Sequence, residues 1–197
     1  MKKAWLIGVL LTIPSIAWGH SDVVLDPADT KGPLDLSGAR HRDRSFEIIQ
    51  ADSPRTSIVT RLILKAVTYE AWSKDVIGGG AHRFISFEFN LDGDQAIERC
   101  AVVTSEASEL RAKIYRDCNY FDYREVASLN DVSRPDRHSV KLSFRRAFLG
   151  PDVTSYEWRV ATSFEDADHP DCEPPEPHGD GGYGTCHDST RWRRHSL

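Results

Sequence analysis

Three carboxylates fall close together near the start of the chain, Asp26, Asp29 and Asp35, in a stretch that also holds Pro27, Gly32 and Pro33. A hard cation such as Ca²⁺ takes about six to eight oxygens from carboxylates and backbone carbonyls, and a loop rich in Gly and Pro can turn its carbonyls inward. If the chain forms a sandwich, its two terminal segments tend to lie side by side, and Asp188 could then reach the same place. Asp26, Asp29, Asp35 and Asp188 are therefore the expected ligands of a Ca²⁺ ion. The competing role is that of turn formers, which Asp fills by bonding its own backbone. Asp92-Gly93-Asp94 has the look of a calcium loop but lacks the later acids and terminal Glu of an EF-hand, and fits a turn better.

Other chemistry is thinner. Tyr69 and Trp72 could offer a stacking platform to a sugar ring, although Trp72 and Trp158 also lie in or beside apolar segments, where core residues belong. A chain cut before His20 would expose an amino-terminal imidazole able to chelate copper with a second histidine, but His41, His82, His138, His169, His178, His187 and His195 sit in no distinctive motif. No G-x-S-x-G and no H-E-x-x-H occurs. No catalytic residue is assigned. The leading expectation is a non-catalytic binding or structural module whose partner is an extracellular glycan or cell-surface component. The alternative is a secreted metal-dependent enzyme or hydrolase.

The elements that must position these residues begin after a leader. Met1-Lys2-Lys3 is basic, the stretch to Ile16 is largely apolar, and Ala17-Trp18-Gly19 puts small residues at the cleavage positions. This is the three-part pattern of a secretory signal peptide over residues 1–19, and it predicts an exported protein. Export favours disulfides, and the chain has four cysteines, Cys100, Cys118, Cys172 and Cys186. The formal charge of the 197 residues is −5, and the leader takes two lysines with it, so the exported chain is more acidic still. An acidic chain without a basic block argues against nucleic acid as the main partner. No apolar run outside the leader is long enough to span a membrane. Hydrophobic content of 40% and charged content of 28% describe a globular domain.

The dominant period is two. Ile85, Phe87, Phe89 and Leu91 share one face of a strand over Phe84–Leu91; Tyr156, Trp158, Val160, Thr162 and Phe164 share another over Ser155–Phe164; Val140, Leu142 and Phe144 alternate likewise. Residues 58–69 are half β-branched and read as a strand rather than a helix. Cys100–Thr104 and Leu110–Arg116 read as a hairpin, in a register that sets Cys100 opposite Cys118 and Thr104 opposite Ile114. That register predicts a Cys100–Cys118 disulfide and leaves Cys172 and Cys186 to each other. Arg134-Pro135-Asp136-Arg137 reads as a turn. Short strands spaced by turns predict an all-β, antiparallel, disulfide-bonded β-sandwich of the jelly-roll kind over residues 20–190. The stretch 170–184 reads as a surface excursion, and 191–197 as a frayed tail.

Several stretches together resemble a family of small secreted bacterial proteins without an assigned function. They are Asp26 to Leu36, Ala71-Trp72, Phe87 to Asp92, Arg134-Pro135-Asp136, Tyr156-Glu157-Trp158, and Cys172 with Cys186-His187-Asp188. The resemblance spans nearly all of the exported chain. It implies a fold similar to the jelly rolls of extracellular sugar-binding modules, including those related to DOMON domains. Measured against it, Arg40 to Arg55 reads as a longer charged insert after the first strand.

Overall fold

The computed structural model describes residues 21–29, 32–49, 56–79, 82–94, 96–118, 124–166 and 184–196. The leader, His20, Cys172 and the excursion through 183 lie outside them. Among the described residues, twelve strands form two antiparallel sheets. The first sheet holds β1 (Ser21–Leu25), β2 (Leu36–Ile49), β3 (Thr56–Thr68), β8 (Val132–Asp136) and β9 (Ser139–Arg145), in the order β1-β2-β3-β9-β8. The second holds β4 (Phe84–Asn90), β5 (Arg99–Glu106), β6 (Glu109–Arg116), β7 (Arg124–Leu129), β10 (Ser155–Asp166), β11 (Gly184–Ser189) and β12 (Arg193–Ser196). Its order is β11-β10-β4-β5-β6-β7, with β12 also on β10. No helix among the described residues is long and apolar enough to cross a membrane.

Period-two burial builds the core. Leu62, Leu64 and Ala66 of β3 and Val140, Leu142 and Phe144 of β9 face Ile85, Phe87 and Phe89 of β4 and Trp158 and Val160 of β10, each at most 1% exposed. The Phe89 and Phe144 rings meet edge to face at 6.0 Å, one from each sheet. Trp72 belongs to this buried set rather than to a sugar platform. It is 4% exposed and lies under the Arg134 guanidinium, 4.4 Å from the ring centre.

The Cys100–Cys118 disulfide is present, but the hairpin register differs from the expected one. Cys100 pairs with Tyr115 and Thr104 with Arg111, around a two-residue turn at Ala107 and Ser108, both at positive φ. Ala101 and Val103 then share the core face with Ile114 and Ala112, while Cys100, itself buried, lies on the opposite face of the strand. Asp117, at φ 57°, turns the chain back after β6, and the Cys118 amide donates to the Ile97 carbonyl, which lays Cys118 over Cys100. Cys186 is disulfide-bonded too; its expected partner, Cys172, lies outside the described residues.

Three further stretches depart from expectation. The charged segment from Arg40, expected as an insert after the first strand, is itself strand: Arg40–Ile49 is most of β2, paired along its length with β3. Pro135 sits inside edge strand β8 at an irregularity between Ser133 and Asp136, where a missing N–H is tolerated, and the turn itself is at Arg137-His138. The tail is not frayed. β12 continues β11 along the same edge of β10 after one extra residue, bridged by the Val160 amide donating to Thr190 Oγ1 and the Thr190 amide to the Val160 carbonyl. Trp192 lies under Arg159, and His195 is 2% exposed.

Deleting residues 191–197 is therefore expected to lower unfolding stability by roughly 3–5 kcal/mol, the penalty for stranding buried charged partners. Urea denaturation of the truncated protein measures it, and a loss below about 0.5 kcal/mol would mean that the tail does not dock.

Candidate functional site

The edge strands of the two sheets, β1 on one and β11–β12 on the other, lie on the same side of the sandwich. Two polar clusters line the seam between them. The first is the acid cluster expected from sequence. Asp26 directly follows β1, Asp35 directly precedes β2, and Asp188 lies on β11. Carboxylate oxygens of Asp26, Asp29 and Asp188 all lie within 4.8 Å of one another. Oxygens on opposite sides of a Ca²⁺ ion, with bonds near 2.4 Å, stand about 5 Å apart, so the spacing fits that ion.

The loop is held in shape by its own backbone. The Asp35 amide donates to the Gly32 carbonyl and the Asp26 amide to that of Ser37. Gly32, at φ 144°, lies against the Phe164 ring, where a Cβ would collide with it. The Leu36 amide donates to Asp188 Oδ2 at 2.6 Å, tying the loop to the other sheet. Tyr69 belongs here too. Its hydroxyl donates to the Asp26 carbonyl at 2.6 Å and its amide to the Asp35 carbonyl, so it buttresses the loop instead of pairing with Trp72 as a platform.

Asp26, Asp35 and Asp188 are each at most 8% exposed, and Asp29 is exposed. Asp26 Oδ2 is buried and accepts no hydrogen bond. Burial, and then the charges of Asp188, Asp29 and Asp35, push the Asp26 carboxyl up to about 7. Burial also lifts Asp188, to about 6, against the pull of the Leu36 N–H, with Asp29 and Asp35 adding to the rise. Without a cation, Asp26 and Asp188 hold their protons to a higher pH than ordinary carboxyls do.

The second cluster joins residues from opposite ends of the chain. His195 of β12 lies between two carboxylates, with Nδ1 at 2.5 Å from Asp22 Oδ2 and Nε2 at 2.9 Å from Asp43 Oδ2. A carboxylate oxygen stands at each ring nitrogen, and although burial lowers the His195 pKa, hydrogen bonds and charge from Asp43 and Asp22 outweigh it and raise it. His41 of β2 is fully buried. Its Nε2 is 2.7 Å from the Tyr156 hydroxyl, its Nδ1 has no hydrogen-bond partner, and its ring centre is 4.3 Å from that of His195. Burial, and then the charge of His195, push His41 down to about 4, so it is neutral. The sequence signal was the alternation in β2. His41 and Asp43 face inward between Arg40, Arg42 and Arg44, which are exposed.

Asp92, Asp94 and Glu98 form a third acid group, on the loop between β4 and β5. Its carboxylates accept from the amides of Asp94, Ala96 and Leu91, which makes it a turn that its own side chains bond.

The acid cluster has a pH signature in the metal-free protein. A carboxyl raised from its ordinary value near 3.8 to about 7 binds its proton more tightly in the folded state. Its contribution to stability is present below pH 4 and is lost as pH rises toward 7. His41, held low, acts in the opposite sense over part of this range, so the clean measurement is a difference. In chelator, the stability of Asp26→Asn relative to wild type is expected to rise steadily from pH 4 to pH 7 in urea titrations. A constant difference would mean that the Asp26 carboxyl is not buried among other acids.

No protein-family model, no curated protein and no solved structure matches this chain, so both clusters are read from their own chemistry.

Proposed function

We propose that the protein is a secreted, non-catalytic β-sandwich module whose seam is stapled by a Ca²⁺ ion, serving as an extracellular binding or structural domain. The observation that carries this reading is the convergence of Asp26, Asp29 and Asp188, with Asp35 beside them, around an Asp26 oxygen that is buried without a partner. A cation there joins the start of the first sheet to the last strands of the second. The signal-peptide pattern of residues 1–19 and the disulfides agree with an oxidising compartment.

A non-catalytic role fits the surface. One depression among the described residues, about 600 Å³, is lined by Lys74, Glu109, Arg134, Asp136 and Arg137. Its Asp136 carboxyl is held below the usual range by Ser139 and the His138 N–H, and so is occupied with its turn. Among the described residues, the seam histidines are sealed from solvent rather than set in this depression. With Trp72 buried, a glycan or cell-surface partner would be gripped by the hydrogen-bonding groups of the depression rather than by ring stacking.

The Ca²⁺ reading is tested by melting the exported protein in chelator and in millimolar Ca²⁺. A ligand that binds only the folded state adds about 2.7 kcal/mol at a hundredfold excess over Kd. In a domain of this size that is a rise of roughly 5–10 °C in Tm. Asp29→Asn is expected to remove most of the rise and to leave the metal-free Tm nearly unchanged, because Asp29 is exposed. Superimposable wild-type curves with and without Ca²⁺ would dispose of the staple and leave the acids as turn formers.

A further inference from the structure

We propose that Asp22, His41 and His195 form a separate site for a Zn²⁺ ion, independent of the Ca²⁺ staple, with Asp43 as its outer-shell partner. One ligand atom from each of the three lies within 4.8 Å of the others. Two imidazoles and one carboxylate make the donor set of a zinc centre that keeps its fourth position for another ligand. The set is soft enough for zinc and poor for Ca²⁺, which takes oxygen alone.

The surroundings are those of a built site. Zinc-bound histidines hand their other N–H to a carboxylate, which fixes the tautomer and orients the ring. Asp43 does this for His195, through the 2.9 Å contact at Nε2, and so aims Nδ1 at Asp22. His41 is fully buried, braced at Nε2 by the Tyr156 hydroxyl, and keeps Nδ1 without a hydrogen-bond partner. A buried imidazole nitrogen left unbonded loses the water it would have had, and a metal ion is the partner that restores that loss. The Trp158 ring, 5.3 Å from His41, supplies a low-dielectric wall.

One group has to move. His195 Nδ1 and Asp22 Oδ2 are 2.5 Å apart, a hydrogen-bond separation, whereas two ligands of a tetrahedral zinc stand about 3.3 Å apart. Asp22 is the group free to retreat. It lies on edge strand β1, and its side chain is 20% exposed against 1% for His195. Its open side is also the way in. As the ion enters, the proton held between His195 Nδ1 and Asp22 leaves to solvent and the Nδ1 lone pair takes the metal, so the site exchanges a proton for a dication.

The probes are Zn²⁺ and the spectroscopic surrogate Co²⁺, added to chelator-stripped exported protein in millimolar Ca²⁺. One equivalent of Co²⁺ is expected to give the visible absorption of a four-coordinate ion, displaced by Zn²⁺, and Zn²⁺ is expected to raise Tm by several degrees. Asp22→Asn keeps a hydrogen-bond acceptor for His195 and sits at the exposed edge, so it should fold. It is expected to weaken Zn²⁺ binding at least tenfold, while Asp29→Asn binds Zn²⁺ as wild type does. Absence of both the Co²⁺ spectrum and the Zn²⁺ shift in wild type overturns the site and leaves a proton-held Asp–His–Asp clamp. Undiminished binding by Asp22→Asn overturns it as well, since the ion would then lie elsewhere.

Discussion

A carboxylate taken out of water needs a proton or a cation beside it, and this sandwich buries several along one seam. Asp26, Asp35, Asp43 and Asp188 are each at most 9% exposed. The two clusters meet the requirement differently. Asp43 and Asp22 flank the His195 ring, one at hydrogen-bond distance from each nitrogen. Asp26 and Asp188 have one another, and burial with the neighbouring acids raises both carboxyls so that a proton or a metal ion is favoured there. Both clusters take one half from the β1–β2 end of the chain and the other from β11–β12. The ends of the chain therefore close the sandwich with charge, while its middle is closed with aromatic and aliphatic side chains.

This division decides what could be read from the sequence. β3, β4, β9 and β10 bury Leu, Ile, Val and aromatic residues at alternate positions, and their alternation was plain. β2 was missed because its inward positions carry His41 and Asp43 next to Gly38, so the hydrophobic pattern broke where the polar network began. β12 was missed for the same reason: Arg193 and Arg194 look like a solvated end, and His195, facing inward, is not apolar. Local consistency fails where the structure does something other than fill a core. The acid loop was legible because Asp, Pro and Gly mark it within a few residues, and Asp188 was reached only by assuming that sandwich ends meet. His195 with Asp22 and Asp43 is a contact between opposite ends of the chain, which no local pattern announces.

The disulfide carries a narrower lesson. Directly opposed cysteines were expected, and the bond forms instead between Cys100 on the outer face of β5 and a residue beyond the end of β6. Hydrophobic parity on the hairpin alone fits the observed register, in which Ala101, Val103, Ala112 and Ile114 face the core. The left-handed backbone at Asp117 then supplies the reach. A cystine constrains where two residues end up, and the turn between them settles how the strands slide.

The register of β1 shows how much the polar seam has to do. Asp22, Val24 and Asp26 face inward, while Val23 and Leu25, 48% and 73% exposed, face out. Hydrophobicity alone favours the opposite arrangement. A slip of one residue would bury Val23 and Leu25 and release both acids, gaining about 2–3 kcal/mol of apolar burial after Val24 is given up. The observed register is therefore held by something stronger. Stranding the buried partners of an ion pair costs about 3–5 kcal/mol, and a slip would strand His195 and Asp43 by withdrawing Asp22. Gly38 adds a steric lock, because β1 approaches it so closely that a Cβ there would strike the Val24 carbonyl. Bound cations would deepen the same preference, since each needs a carboxylate from β1 or the residue that follows it. In this edge strand the charged residues set the pairing and the apolar ones tolerate it.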